Sequence, residues 1–207
     1  MNRLFYITLP FGGVRISILA FLSAAALFYA DCSVFTLLFL LAAAIHEIGH
    51  IVCLKTCGAK IYGITVLPFG AVIRSDAGKL PYRKEAAAAL AGPAAGLCAA
   101  AASGLAFLLF RDIYSLFFAV CNLTLSLVNL IPVRTLDGGR ALEAYVFSHM
   151  SYERADCFLE NVSYASFVLL TFASLGLLAL TGCNFSLIIF CVCLFLAAYS
   201  GENERAA

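Results

Sequence analysis

Charge is what this 207-residue sequence has little of. Only 12% of its residues are Asp, Glu, Lys or Arg, while 63% are apolar. A soluble domain carries about a quarter charged residues and is about half apolar. One water-facing core could not absorb the excess, because too few polar residues would remain to cover its surface. A basic block is also missing: the net charge is +1, which excludes a protein that binds nucleic acid through phosphate contacts. The apolar content excludes an intrinsically disordered chain. No Ser/Gly-rich linker or low-complexity segment divides the sequence, and only the short polar end Gly201–Ala207 stands apart. Histidine is scarce as well, with three in the chain, so the position of each carries weight. What remains is a polytopic membrane protein with little room for an extramembrane domain.

Six apolar segments are expected to cross the bilayer: about Val14–Ala30, Val34–Val52, Ala86–Phe110, Ile113–Val133, Val162–Thr181 and Phe185–Tyr199. Most reach the roughly 17–25 residues that the hydrocarbon layer requires. The first resembles a signal peptide, but Phe28-Tyr29-Ala30 is a poor small-residue cleavage site, so it is kept as a span. With the N-terminus in the cytoplasm, that side carries Arg3, Arg15, Lys55, Lys60, Arg74, Lys79, Arg83, Lys84, Arg134, Arg140, Arg154 and Arg205, and the other side only Arg111. This is a strong positive-inside pattern. It predicts an even number of spans with both termini cytoplasmic.

The expected fold is therefore an all-α polytopic membrane protein of about six helices, forming one domain over 1–207. Its core is residues 34–140, with accessory spans at 14–30 and 162–199. One connection holds more than a loop. Ile61–Leu67 and Ala71–Ile73 are rich in β-branched residues and flank Pro68-Phe69-Gly70, which reads as a short membrane-associated β-hairpin. Leu9-Pro10-Phe11-Gly12-Gly13-Val14 echoes Leu67-Pro68-Phe69-Gly70-Ala71-Val72 and suggests two similar turns at the membrane surface. The connection Arg134–Asn161 is expected to carry an amphipathic surface helix through His149. The nine cysteines are scattered and read as small apolar residues. Cys53-x3-Cys57 has no partner pair to complete a zinc site.

Chemistry concentrates in the second span, which contains His46-Glu47-Ile48-Gly49-His50. In a helix, the i, i+4 spacing sets both imidazoles on one face, one turn apart, where they can share a Zn²⁺. Glu47 lies beside the first of them and is the natural general base for a water held by the metal. Three ionisable residues inside a membrane helix are expensive unless a function retains them, and a shared metal removes much of that cost. His149, on the polar surface helix, reads as solvated.

A catalytic zinc normally takes three protein ligands, and Asp137 stands out as the third. It follows the fourth span in Asn129-Leu130-Ile131-Pro132-Val133-Arg134-Thr135-Leu136-Asp137-Gly138-Gly139-Arg140. Pro132 should break the helix, and the two glycines permit a tight turn that aims a short carboxylate inwards. The charge pattern runs the second and fourth spans in the same direction. His50 and Asp137 are thereby expected near the same membrane face.

These segments resemble the site-2 protease family of intramembrane zinc metalloproteases. The resemblance rests on His46-Glu47-Ile48-Gly49-His50, on Asn129-Leu130-Ile131-Pro132 and on Leu136-Asp137-Gly138-Gly139. Ala91-Gly92-Pro93-Ala94-Ala95-Gly96 is similar to that family's Gly-Pro segment, although Gly96 stands where many relatives have Asn, and Arg134-Thr135 is unexpectedly polar. The resemblance implies that His46, His50 and Asp137 bind one Zn²⁺, that Glu47 is the catalytic base, and that Asn129 orients substrate or the developing oxyanion. It implies a multi-pass protein of a bacterial cell membrane acting on a transmembrane or membrane-associated protein near the cytoplasmic face. The sporulation-type branch is the nearer match, without PDZ or CBS domain. It suggests processing of a sigma-factor precursor or an anti-sigma factor, with a regulatory membrane protein as a further partner. The alternative is a non-proteolytic metal-binding scaffold or transporter. A transporter would want more intramembrane acids than Glu47 and Asp137, and a scaffold would have no reason to keep Glu47.

Overall fold

The computed structural model describes residues 6–8, 14–17, 29, 33–67, 70–76, 80–181 and 191–192. The chain divides into two compact units, Met1–Val128 and Asn129–Ala207.

In the first unit, helix α1 spans Val34–Thr56, four residues beyond the expected span. It stops at Gly58, whose φ of 87° takes the backbone into the left-handed region that favours glycine. The Cys57 and Gly58 N–H groups close the end onto the carbonyls of Cys53 (2.9 Å) and Lys55 (3.0 Å). Helix α2, Tyr82–Phe110, starts behind Pro81 and ends at Arg111, the non-glycine residue with positive φ (54°) among those described. The Arg111 guanidinium lies over the Phe107 ring at 5.8 Å, a contact that offsets part of the strain. Helix α3, Ile113–Asn129, begins with the Ser115 N–H donating to the Asp112 carboxylate at 2.9 Å. The Ser115 hydroxyl, and after it this backbone hydrogen bond, hold the Asp112 pKa below its ordinary value.

The expected hairpin is present as β3 (Ile61–Leu67) and β4 (Gly70–Ser75), paired antiparallel. The sheet is larger than expected. Strands β1 (Tyr6–Thr8) and β2 (Val14–Ser17) form a second antiparallel pair, and β2 lies parallel to β3, giving the order β1-β2-β3-β4. Most of the two echoing Leu-Pro-Phe-Gly segments, expected as similar turns, lies outside the described residues. Strand β2 corrects the first expected span: Val14–Ser17 is a strand, and most of the rest of Val14–Ala30 lies outside the described residues. A short Val/Ile-rich run gives the same hydropathy in a strand as in a helix, so composition alone could not separate them. Leu54, Ala59 and Ala88 are buried together, with Ile61, Ile73 and Leu80 packed against them, so the end of α1, the β3–β4 pair and the start of α2 share a core.

In the second unit a turn over residues 130–136 leads into α4 (Asp137–Phe147) and then α5 (Tyr152–Thr181). The fourth apolar segment therefore ends at Asn129 rather than Val133. Pro132 has no N–H to donate, and its ring would strike the carbonyl of Val128 in a continuing helix. The fifth helix begins ten residues before the expected Val162, because Ala155 and Leu159 bury against Val146, Leu142 and Phe147. A segment that is polar on one face does not register as a span.

Among the described residues three helices are long and apolar enough to cross a membrane: Val34–Thr56, Tyr82–Phe110 and Tyr152–Leu180. Ile113–Asn129 is a shorter apolar helix. Leu105, Leu108, Leu109 and Phe110 on α2, and Leu169 and Phe172 on α5, face outwards, the placement a lipid environment favours. The sixth expected span, Phe185–Tyr199, lies outside the described residues except at 191–192.

Candidate metal centre

The motif on α1 folds as its spacing requires. His46 and His50 are both buried, and their Nε2 atoms stand 3.3 Å apart. His50 Nδ1 lies 2.8 Å from the Ala88 carbonyl. A carbonyl can only accept, so Nδ1 carries the proton and, in the neutral ring, Nε2 keeps its lone pair facing His46. An imidazole held through its far nitrogen by a backbone carbonyl is the usual arrangement of a metal-ligating histidine. Nitrogens each bound at ~2.0–2.1 Å to a tetrahedral zinc are separated by roughly 3.3 Å, so the pair fits such an ion. Glu47, next along the helix, is half-buried.

The shape of α2 makes this possible. A Cβ at Gly92 would run into the His50 ring, and one at Gly49 would come within 2.6 Å of the Ala91 carbonyl oxygen and 2.8 Å of the Ala95 Cβ. Glycine at these two positions lets the two helices approach until a buried imidazole reaches a backbone carbonyl across the seam. Ala88 and Gly92 lie one turn apart and together form the His50 cradle. One turn further, Gly96 meets the Ser126 hydroxyl of α3; an Asn there would need that space, so the departure noted in the sequence has a neighbour that fills it.

Asp137 is the first residue of α4 and is buried. A helix N-terminus favours a negative side chain. The turn before it is tightly built. Val133 N–H donates to the Ile131 carbonyl and Leu136 N–H to the Val133 carbonyl, each at 2.8 Å, and Arg140 N–H reaches Leu136 at 3.0 Å. A Cβ at Gly138 would strike the Leu130 carbonyl, and one at Gly139 the Val133 carbonyl. The Gly-Gly pair thus lets the first turn of α4 lie directly on the backbone of the loop. Asn129 is the last residue of α3 and is half-buried. His149, two residues beyond the end of α4, is exposed and lies 2.8 Å from the Tyr145 carbonyl.

The family model described as Peptidase family M50 matches residues 34–112 and 111–173, more than half of the chain and all of the segments just described. The chain belongs to peptidase family M50. Among relatives of this M50 chain, a zinc metalloprotease of Methanocaldococcus jannaschii is 31% identical over 83% of the chain and 49% of the relative. Stage IV sporulation protein FB of Bacillus subtilis is 28% identical over 56% of the chain and 41% of its own length. The chain therefore spans about half the length, or less, of these curated relatives. Among solved structures, the site-2 protease from Methanocaldococcus jannaschii aligns with a TM-score of 0.69 and 25% identity, covering 94% of this chain and 93% of the other.

Two parts of the M50 site were not identified from sequence. The Ala88 carbonyl is invisible to motif reading because any residue supplies one. Gly92 was legible only within the segment similar to the family's Gly-Pro segment, and nothing in that segment says that an imidazole lies against it.

Proposed function

We propose that this M50 chain is a zinc-dependent intramembrane endopeptidase that cleaves a transmembrane or membrane-associated protein near the cytoplasmic face. The observation that carries the reading is the pair of buried imidazoles with converging Nε2 atoms inside the family-matched segment. In this reading His46, His50 and Asp137 hold one Zn²⁺; each offers one ligand atom and all three are buried. When bound, the zinc polarises the scissile carbonyl and makes water a nucleophile near neutral pH. Glu47 takes a proton from the attacking water and passes it to the departing amine. Asn129 orients the substrate or donates to the developing oxyanion.

A helical substrate hides its carbonyls in i→i−4 hydrogen bonds and must unwind to be cut. Among the described residues β4 pairs with β3 alone, so its outer edge can take up an extended substrate strand. The relation to stage IV sporulation protein FB supports a role in sporulation, and the resemblance to the sporulation-type branch suggests a sigma-factor precursor or anti-sigma factor as substrate, under a regulatory membrane protein. The Lys/Arg distribution supports a multi-pass protein with cytoplasmic termini.

The ligand set is tested by metal analysis of the purified protein and its His46→Ala and Asp137→Ala variants. One zinc per wild-type chain and near none in either variant is expected. Full zinc in either variant would remove that residue from the set.

A further inference from the structure

We propose that Arg134 and Asp156 are positioning residues that clamp the turn preceding Asp137 onto α5 and thereby hold Asp137 in place as a metal ligand. The proposal rests on the zinc-ligand reading of Asp137. Arg134 lies between Pro132 and Asp137, where the sequence is more polar than a membrane-facing turn requires.

Three kinds of contact tie this turn to α5. The Arg134 guanidinium pairs with the Asp156 carboxylate. The Arg134 backbone N–H donates to the Ser163 hydroxyl at 3.3 Å. Val133 and Leu136 are buried together, with Ile131, Phe167 and Leu170 packed against them. Asp156 and Ser163 lie seven positions apart, two turns along one helix face, so the side chain and the backbone of Arg134 grip successive points of α5. The turn transmits this hold without slack. Its own hydrogen bonds run from Ile131 to Val133, to Leu136 and into the first turn of α4, and Gly138 and Gly139 rest directly on the carbonyls of Leu130 and Val133. A shift of the turn therefore shifts Asp137. Apolar contacts alone would let the turn slide along α5, whereas the ion pair fixes its position along the helix. Its Arg134 side chain is 19% exposed against 43% for Asp156, so the arginine is the enclosed partner and the carboxylate stays hydrated.

The test compares full-length wild type, Asp156→Asn, the charge-reversed double variant Arg134→Asp/Asp156→Arg, and Asp137→Asn. Zinc affinity is read by chelator competition on folded protein, and kcat and KM are read on a membrane substrate in liposomes. Loss of a group that orients a ligand typically costs 10–100-fold in metal affinity. Asp156→Asn is expected to weaken zinc about tenfold and lower kcat with KM unchanged, and the double variant to recover most of the loss. A contact that only stabilises the fold would lower the melting temperature and leave zinc affinity at the wild-type value. That result for Asp156→Asn, alongside zinc loss in Asp137→Asn, would overturn the positioning role alone. Full zinc affinity in Asp137→Asn would overturn the ligand reading and this proposal with it.

Discussion

The histidine seam and the aspartate turn achieve burial of a polar side chain by opposite means. At the seam, two regular helices do the positioning. The i, i+4 spacing sets the imidazoles one turn apart, and small residues on α2 bring the Ala88 carbonyl to His50. At the turn, no helix spacing is available, because Pro132 has ended α3. Asp137 depends on a folded loop, on two glycines seated against backbone, and on contacts to α5 that are distant in sequence. The first arrangement joins a local i, i+4 spacing to a carbonyl 38 positions away, across two packed regular helices, and is rigid. The second rests on a loop and should yield in steps.

Substitutions can break this contrast or sharpen it. Gly92→Leu should have the largest effect, because the side chain must occupy the space of the His50 ring; zinc content and cleavage should both fall to background, as metal analysis and a cleavage assay would record. Val72→Pro should separate metal binding from substrate capture. Val72 pairs with Thr65 in the β3–β4 ladder, and proline there fixes φ and removes a donor. Cleavage should be lost while zinc content stays at the wild-type level; surviving activity would make the sheet a mere covering. Gly139→Ala should act by degree, since the Val133 backbone must move to admit a methyl group. A loss of about 1–3 kcal/mol in denaturant unfolding, with weakened but measurable zinc binding, is expected. Were it to match Gly92→Leu, the turn would be as rigid as the seam.

Asp112→Ala, in the connection between α2 and α3, should have the smallest effect. Its pKa is depressed in the folded chain, so its contribution is present above the ordinary aspartate value of about 3.9 and is lost as pH falls through the depressed one. Thermal unfolding should show a slightly lower midpoint at pH 7 and a difference that disappears in more acidic solution.

The same contrast explains what could be read in advance. His46, Glu47 and His50 share one helix, so sequence spacing alone carried their geometry. Asp137 was reachable because Pro132 and the Gly-Gly pair mark a turn, yet nothing local tied that turn to Asp156, Ser163 or Phe167. The β2 strand escaped notice because Val14–Ser17 merges with an apolar run, and its partners lie at residues 6–8 and 64–66. The early start of α5 was hidden because Ala155 and Leu159 bury one stripe of an otherwise polar segment. Where a position is set by neighbours close in sequence, pattern is enough; where it is set by a distant partner, the pattern supplies only one half of the contact.

The most direct measurement pairs zinc content with cleavage for wild type and Glu47→Gln, both reconstituted in liposomes with a membrane-associated substrate. Glutamine keeps the shape of Glu47 but cannot take a proton from water. The account predicts one zinc per chain in both proteins and cleavage reduced by roughly 10²–10⁴-fold in the variant. Equal cleavage by the two would contradict it.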